Sequence, residues 1–378
     1  MGCMACGSAI PLLPAQGGPA WTELTSEHFT LWTDAPATRG HALIQQLERE
    51  RQVITRAMNH ATARARSFVV ALRNDREVGV YLPDRNPAAA WDGGADLQPG
   101  MLFAANTPDR DRAVTHEVAH LVSFSFIPHQ PSWLAEGIAS YFEMAELDPF
   151  ASVVEVGRPR SDHGDYLRSS PPVPLAELFT CHEHACADAP FYATSWAVVS
   201  LLVNEHGDQL SRYLQHLTEL PADSEPPVEG EPFPDLPTAT LDRELAEWLR
   251  SGGIRLPRIA VTVRDMPVTE RTLRDADVLA VRALLDLHYH PDAAPRSSDA
   301  ALAADRTNLL AWLVEVHLGL PITADEARAV AAAHPDNWRA WWLLWRAVQH
   351  GDEAITARDQ MCAGADVELA VCAARASR

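Results

Sequence analysis

A chain of 378 residues with a net charge of -20 and a mean hydropathy of -0.14 exceeds the usual size of one domain, so two or three packed units are expected. Every basic residue is arginine and none is lysine; so large an acidic excess excludes a general affinity for nucleic-acid phosphates or anionic membranes. No apolar run approaches the roughly 20 residues of a membrane-spanning helix, so no transmembrane segment is expected.

The first residues lack the basic and apolar regions of a complete signal peptide, yet Ala5-Cys6-Gly7-Ser8 resembles a bacterial lipoprotein cleavage site. The expectation is a longer signal upstream of Met1, acylation at Cys6 and a Pro/Gly-rich tether over residues 1–20. Alternation around Phe29 and Leu31 predicts a strand over 27–34, and apolar spacing over 38–60 predicts a long helix. Ser67–Leu72 and Val78–Leu82 read as strands about a turn at 73–76, and Met101–Ala105 as a further extended piece.

Thr115-His116-Glu117-Val118-Ala119-His120 lies inside an amphipathic helix predicted over 112–124. Residues four apart share a helix face, so His116 and His120 can aim two imidazoles at one cation, with Glu117 beside them to handle a water. Val114, Val118, Leu121 and Val122 occupy the opposite arc. A second helix is predicted over 131–143, with Ser132 as its N-cap, and its Glu136 completes a two-His, one-Glu zinc site that leaves a fourth position to water.

Beyond it, 148–174 is rich in Pro, Gly, Ser and charge and reads as a loop over the cleft. Cys181-His182-Glu183-His184-Ala185-Cys186 fits a local disulfide, a pair of reduced thiols or a second metal site. Tyr192 opens an apolar helix that runs to Gly207. Pro and acidic residues mark 221–240 as an exposed loop, a short helix follows over 241–249, and 259–263 has strand character. From about Arg274 the chain reads as helical repeats: 301–312 aligns with 330–341 at an offset of about thirty residues. Trp312, Trp341, Trp342 and Trp345 read as the shared core of those repeats. The six cysteines fall in three close pairs, which suits disulfides in an oxidising compartment, reduced thiols being the alternative.

His116-Glu117-Val118-Ala119-His120 followed by Trp133-Leu134-Ala135-Glu136-Gly137 resembles the gluzincin metallopeptidases of the peptidase MA-like group. The similarity runs from the strand Trp21–Asp34 to Phe191–Trp196, about two thirds of the chain. It implies an α+β, zincin-like domain with a small mixed sheet whose edge strand lines the cleft, Glu136 as the third zinc ligand and Tyr192 as a donor to the oxyanion, with His182 and His184 in reserve. Related sites often carry an acidic residue one turn after the Glu ligand; here Ser140 stands there. The repeats resemble tetratricopeptide repeats, giving a tether over 1–20, a metallopeptidase domain over 21–253, a connector over 254–276 and an all-α region over 277–378.

The expected function is zinc-dependent peptide hydrolysis, with Zn2+ on His116, His120 and Glu136, Glu117 as general base and Tyr192 at the oxyanion. The alternatives are a zinc-containing scaffold that works through its C-terminal repeats, and a hydrolase of another amide. A peptide or protein substrate is implied, a protein partner at the repeats is the further candidate, and the setting is extracytoplasmic: periplasmic, secreted or lipid-anchored at Cys6.

Overall fold

The computed structural model describes residues 11–58, 66–82, 88–91, 97–106, 110–148, 152–181, 188–221, 224–365 and 372. In chain order the first elements are β1 (Thr22–Thr25), β2 (Phe29–Thr33), α1 (Ala37–Ala57), β3 (Ser67–Leu72), α2 (Asp75–Tyr81), β4 (Ala88–Trp91) and β5 (Gly100–Ala104). Next come α3 (Arg110–Phe124), α4 (Ser132–Glu143), β6 (Glu146–Asp148), β7 (Val153–Glu155), α5 (Ser161–Ser169) and α6 (Leu175–Phe179). They are followed by α7 (Ala189–Glu205), α8 (Gly207–Thr218), α9 (Thr238–Ser251), β8 (Arg258–Ala260) and β9 (Thr269–Thr272). The last six helices are α10 (Asp275–Tyr289), α11 (Ala294–Ala304), α12 (Leu309–His317), α13 (Ala324–Ala333), α14 (Trp338–Val348) and α15 (Asp352–Gly364). The chain is thus mixed α+β. None of the described helices is long and apolar enough to cross a membrane.

Contacts divide the chain into two compact units. One comprises Met1–Ile44, Arg64–Arg110 and Met266–Arg378, the other Gln45–Ala63 and Asp111–Asp265.

The first unit is built on a six-stranded sheet of order β4-β5-β3-β2-β1-β9. Its centre is parallel, β2 on β3 and β3 on β5, and its flanking pairs are antiparallel. The neighbouring interior strands β3 and β5 are buried at every position, as expected when both faces of a sheet are covered. At one edge β9 is the opposite case: Thr269-Glu270-Arg271-Thr272 is exposed throughout, and charge there discourages pairing with a further strand.

The last helices belong to this unit for a physical reason. Trp32, Phe68, Val70 and Leu102 from the strands share one core with Val281, Leu285, Leu302 and Trp312 from the helices. In two successive helix pairs, α11–α12 and α13–α14, the second helix starts on an asparagine cap. The Asn308 side chain accepts from the Ala311 amide and that of Asn337 from the Arg339 amide. The expected single tryptophan core is split: Trp312 is buried and Trp342 half-buried against the larger core, whereas Trp341 and Trp345, also half-buried, pack on a separate cluster of Ala327, Ala331, Leu344 and Ala357. Cys362 and Cys372 form a disulfide that ties α15 to the segment after it.

One expectation for this unit is corrected. Val78–Tyr81 is helical rather than extended, because Asn74 caps α2 reciprocally. Its side-chain oxygen accepts from the Glu77 amide at 3.2 Å while its amide group donates to the Glu77 carboxylate at 3.0 Å.

The second unit is mainly helical, with a three-stranded sheet in the order β6-β7-β8. Residues 148–174, expected to be loop, include β7 and α5, and β7 gains its partners from β6 and the distant β8. The acidic, Pro-rich stretch 221–240 is also packed in part. Phe233 is 3% exposed and meets Trp133, Phe179 and Tyr213 at ring-centroid distances of 6.3, 6.3 and 5.2 Å. Composition misleads here because two apolar side chains, Phe233 and Leu236, are enough to seat a polar segment on a core. Phe233→Ala is therefore expected to cost about 3–5 kcal/mol in denaturant unfolding, whereas an exposed loop would show almost no change.

Candidate metal centre

The site is built in the second unit by three helices. In α3, Val114, Val118, Leu121 and Val122 are buried, while His116 and Glu117 are partly accessible, so one face packs and another presents its side chains. In α4, ten of the residues from Trp133 to Glu143 are buried, and Glu136 alone among them is not. The entry to α4 differs from expectation: Pro131 is the N-cap and Ser132 the first helical residue. The free Leu134 and Ala135 amides donate to the Pro131 carbonyl at 2.9 and 3.1 Å. Proline suits a helix entry because its fixed φ is helix-compatible and it has no amide to leave unsatisfied.

Glu136 faces the imidazoles because α4 packs tightly on α7. A Cβ on Gly137 would lie 2.5 Å from Val199 Cγ2 and 2.7 Å from the Ser195 carbonyl oxygen. Only glycine permits that approach, and the residue before it is Glu136.

Three atoms converge. His116 Nε2 lies 3.1 Å from Glu136 Oε2 and 3.2 Å from His120 Nε2, and His120 Nε2 lies 3.5 Å from the same carboxylate oxygen. Donors about 2.0–2.1 Å from a tetrahedral ion stand about 3.3 Å apart, so the observed triangle has the size of one face of such a coordination sphere. His116, His120 and Glu136 are the one group of three or more potential ligands of this kind among the described residues. The donor set fits a metal ion.

The charge around the triangle fits as well. Burial alone would lower the pKa of His116, but hydrogen bonding to Glu136 and Glu143, with the charges of Glu136 and Glu117, outweighs it and raises it to about 10. Burial works against ionisation of Glu136 too, and the two histidines overcome it, holding its carboxylate well below the usual range. The cluster draws positive charge, whether a proton or a metal ion supplies it.

Glu143 escapes the sequence pattern. It lies on α4 seven residues after Glu136, two turns on and on the same face, where the familiar spacing is one turn. Its Oε2 is 3.5 Å from His116 Nδ1, and its Oε1 accepts from Arg160 Nη1 at 3.3 Å. Ser140, at the one-turn position, is buried and its hydroxyl has no hydrogen-bond partner among the described residues. His163 on α5 is also buried close by. Burial first, then the neighbouring Arg160, lower its pKa, and its Nδ1 has no described hydrogen-bond partner. The heptad spacing of Glu136 and Glu143 was the available signal for the first; nothing in the sequence pattern singles out Arg160 or His163.

Tyr192 sits in the first turn of α7, behind an N-cap in which Asp188 accepts from the Phe191 amide at 2.9 Å. Its ring centroid is 6.5 Å from that of His116. Burial, then the charges of Glu136 and Glu117, push its pKa up to about 12, so the phenol keeps its proton at neutral pH. His182, His184 and Cys186 lie outside the described residues; Cys181 is disulfide-bonded.

Residues 112–223 match a family model described as a protein of unknown function (DUF1570). The matched span is less than a third of the chain and takes in His116, Glu117, His120, Glu136, Glu143, Arg160 and Tyr192. No curated protein matches the chain.

Gly137→Ala is expected to destabilise the protein by about 1–3 kcal/mol through overpacking, and to weaken metal binding by displacing Glu136. Thermal unfolding combined with chelator competition reads both effects. Unchanged values for both would contradict the helix contact described.

Proposed function

We propose that this protein is a zinc metallopeptidase of the gluzincin type. The observation that carries the reading is the triangle of His116, His120 and Glu136, whose size suits a tetrahedral ion with one corner left open. The resemblance of the two helix motifs to gluzincins adds to it, and we extend the same reading to a zincin-like arrangement of the catalytic region and a tetratricopeptide-like one for α10–α15.

A zinc ion held by these three side chains would supply Lewis acidity toward a water and a scissile carbonyl. The chain's own groups do the rest. Glu117, next to His116 on α3, accepts the proton of the attacking water and delivers it to the leaving amine. Tyr192, kept protonated by its surroundings, donates its hydroxyl hydrogen to the oxyanion. The Cys362–Cys372 disulfide and the disulfide-bonded state of Cys181 point to an oxidising environment, which supports an extracytoplasmic setting.

With a casein or peptide-library substrate and added zinc, wild-type protein is expected to turn over. Glu117→Gln is expected to lose about 10²–10⁴-fold while still binding metal. Tyr192→Phe should fall by about 10²–10³-fold in kcat with little change in KM. Equal inertness of wild type and Glu117→Gln at full zinc occupancy would favour the scaffold reading and defeat this one.

A further inference from the structure

The side chain of Arg160 is joined to the candidate centre through Glu143. Glu143 is a carboxylate only 5% exposed, and a buried charge is costly unless paired. Its two oxygens are divided: Oε1 accepts from Arg160 Nη1 at 3.3 Å, and Oε2 lies 3.5 Å from His116 Nδ1. Asp162 holds the guanidinium from the other side, Oδ1 accepting from Nε at 2.7 Å and Oδ2 from Nη2. Three donors of Arg160 are thus engaged by two carboxylates, and its charge is more than balanced locally. That balance argues against Arg160 as a receptor for an anionic substrate and for a role in holding Glu143.

The backbone that delivers Arg160 is fixed independently. Gly157 adopts a φ of +84°, which favours glycine, and a Cβ there would lie 2.7 Å from the Tyr141 ring. Its amide donates to the Tyr141 carbonyl at 3.0 Å, and its carbonyl accepts from Trp196 Nε1 at 3.3 Å. Tyr141 is on α4 and Trp196 on α7, the helices that carry Glu136 and Tyr192. The turn before Arg160 is therefore anchored to the elements that build the site.

We infer that Arg160 is a positioning residue for the metal ligand His116, acting through Glu143 and itself held by Asp162. A carboxylate oxygen of Glu143 held facing Nδ1 is an acceptor there, which favours the tautomer with hydrogen on Nδ1 and leaves the Nε2 lone pair for the cation. Without Arg160, Glu143 loses the partner that fixes its Oε1, and its Oε2 is no longer held facing His116 Nδ1. The inference rests on the proposed zinc centre but not on peptidase turnover.

The test is zinc affinity of the full chain by chelator competition, without substrate. Arg160→Gln and Glu143→Gln are each expected to bind zinc about 10–100-fold more weakly. The double variant should be little worse than either single one, because both act on one path. Arg160→Lys keeps a positive charge beside Glu143 and should recover most of the loss, which also separates the effect from misfolding. Unchanged affinity in Arg160→Gln, no recovery in Arg160→Lys, or losses that multiply in the double variant would each overturn the inference. A zinc-replete wild type inert on casein would instead count against the peptidase reading and leave this one standing.

Discussion

Glu136 reaches the two imidazoles because α4 meets α7 at Gly137, where neither helix leaves room for another methyl group. A metal centre with ligands from two helices needs their relative position fixed to a fraction of an ångström. Here that fixing comes from packing: Val199 Cγ2 and the Ser195 carbonyl fill the space a side chain would take, and the rest of α4 from Trp133 to Glu143 is buried around them. The two histidines need less support, since the helical repeat places them on one face of α3 without help from tertiary structure.

Electrostatics follows from that geometry. Bringing Glu117, Glu136 and Glu143 near two histidines creates a pocket of negative charge, which the histidines answer in part and Arg160 answers at Glu143. Arg160 has Asp162 at its back, and Asp162 is lowered to about 2 chiefly by that contact. Charges alternate outward from the ligand triangle toward solvent. Such an arrangement lets a buried carboxylate stay ionised beside an imidazole, which an apolar wall would not allow.

Much of this was legible in the sequence, and the reasons for success and failure are specific. His116, His120 and Glu136 could be found because ligand chemistry and helical periodicity give the same answer, and the structure brings the three together. Val78–Leu82 reads as a strand from its β-branched residues, but the cap between Asn74 and Glu77, a four-residue signal, has more local force. Phe233 was hidden in a segment whose average composition is that of a solvated loop. Glu143 was missed because its face relation to Glu136 spans two turns, and Arg160 because its contact with Glu143 joins chain segments 17 residues apart. The sharing of one core by the N-terminal strands and α10–α12 was equally beyond a linear reading, since β9 joins β1 across most of the chain's length.

The central claim concerns what one divalent ion would see. X-ray absorption at the zinc edge of the stoichiometrically loaded protein addresses it directly. The account predicts four nitrogen or oxygen ligands at about 2.0–2.1 Å, with the outer-shell scattering of two imidazoles and no sulfur. A sulfur shell at about 2.3 Å, or a spectrum without imidazole scattering, would place the metal elsewhere and contradict the account.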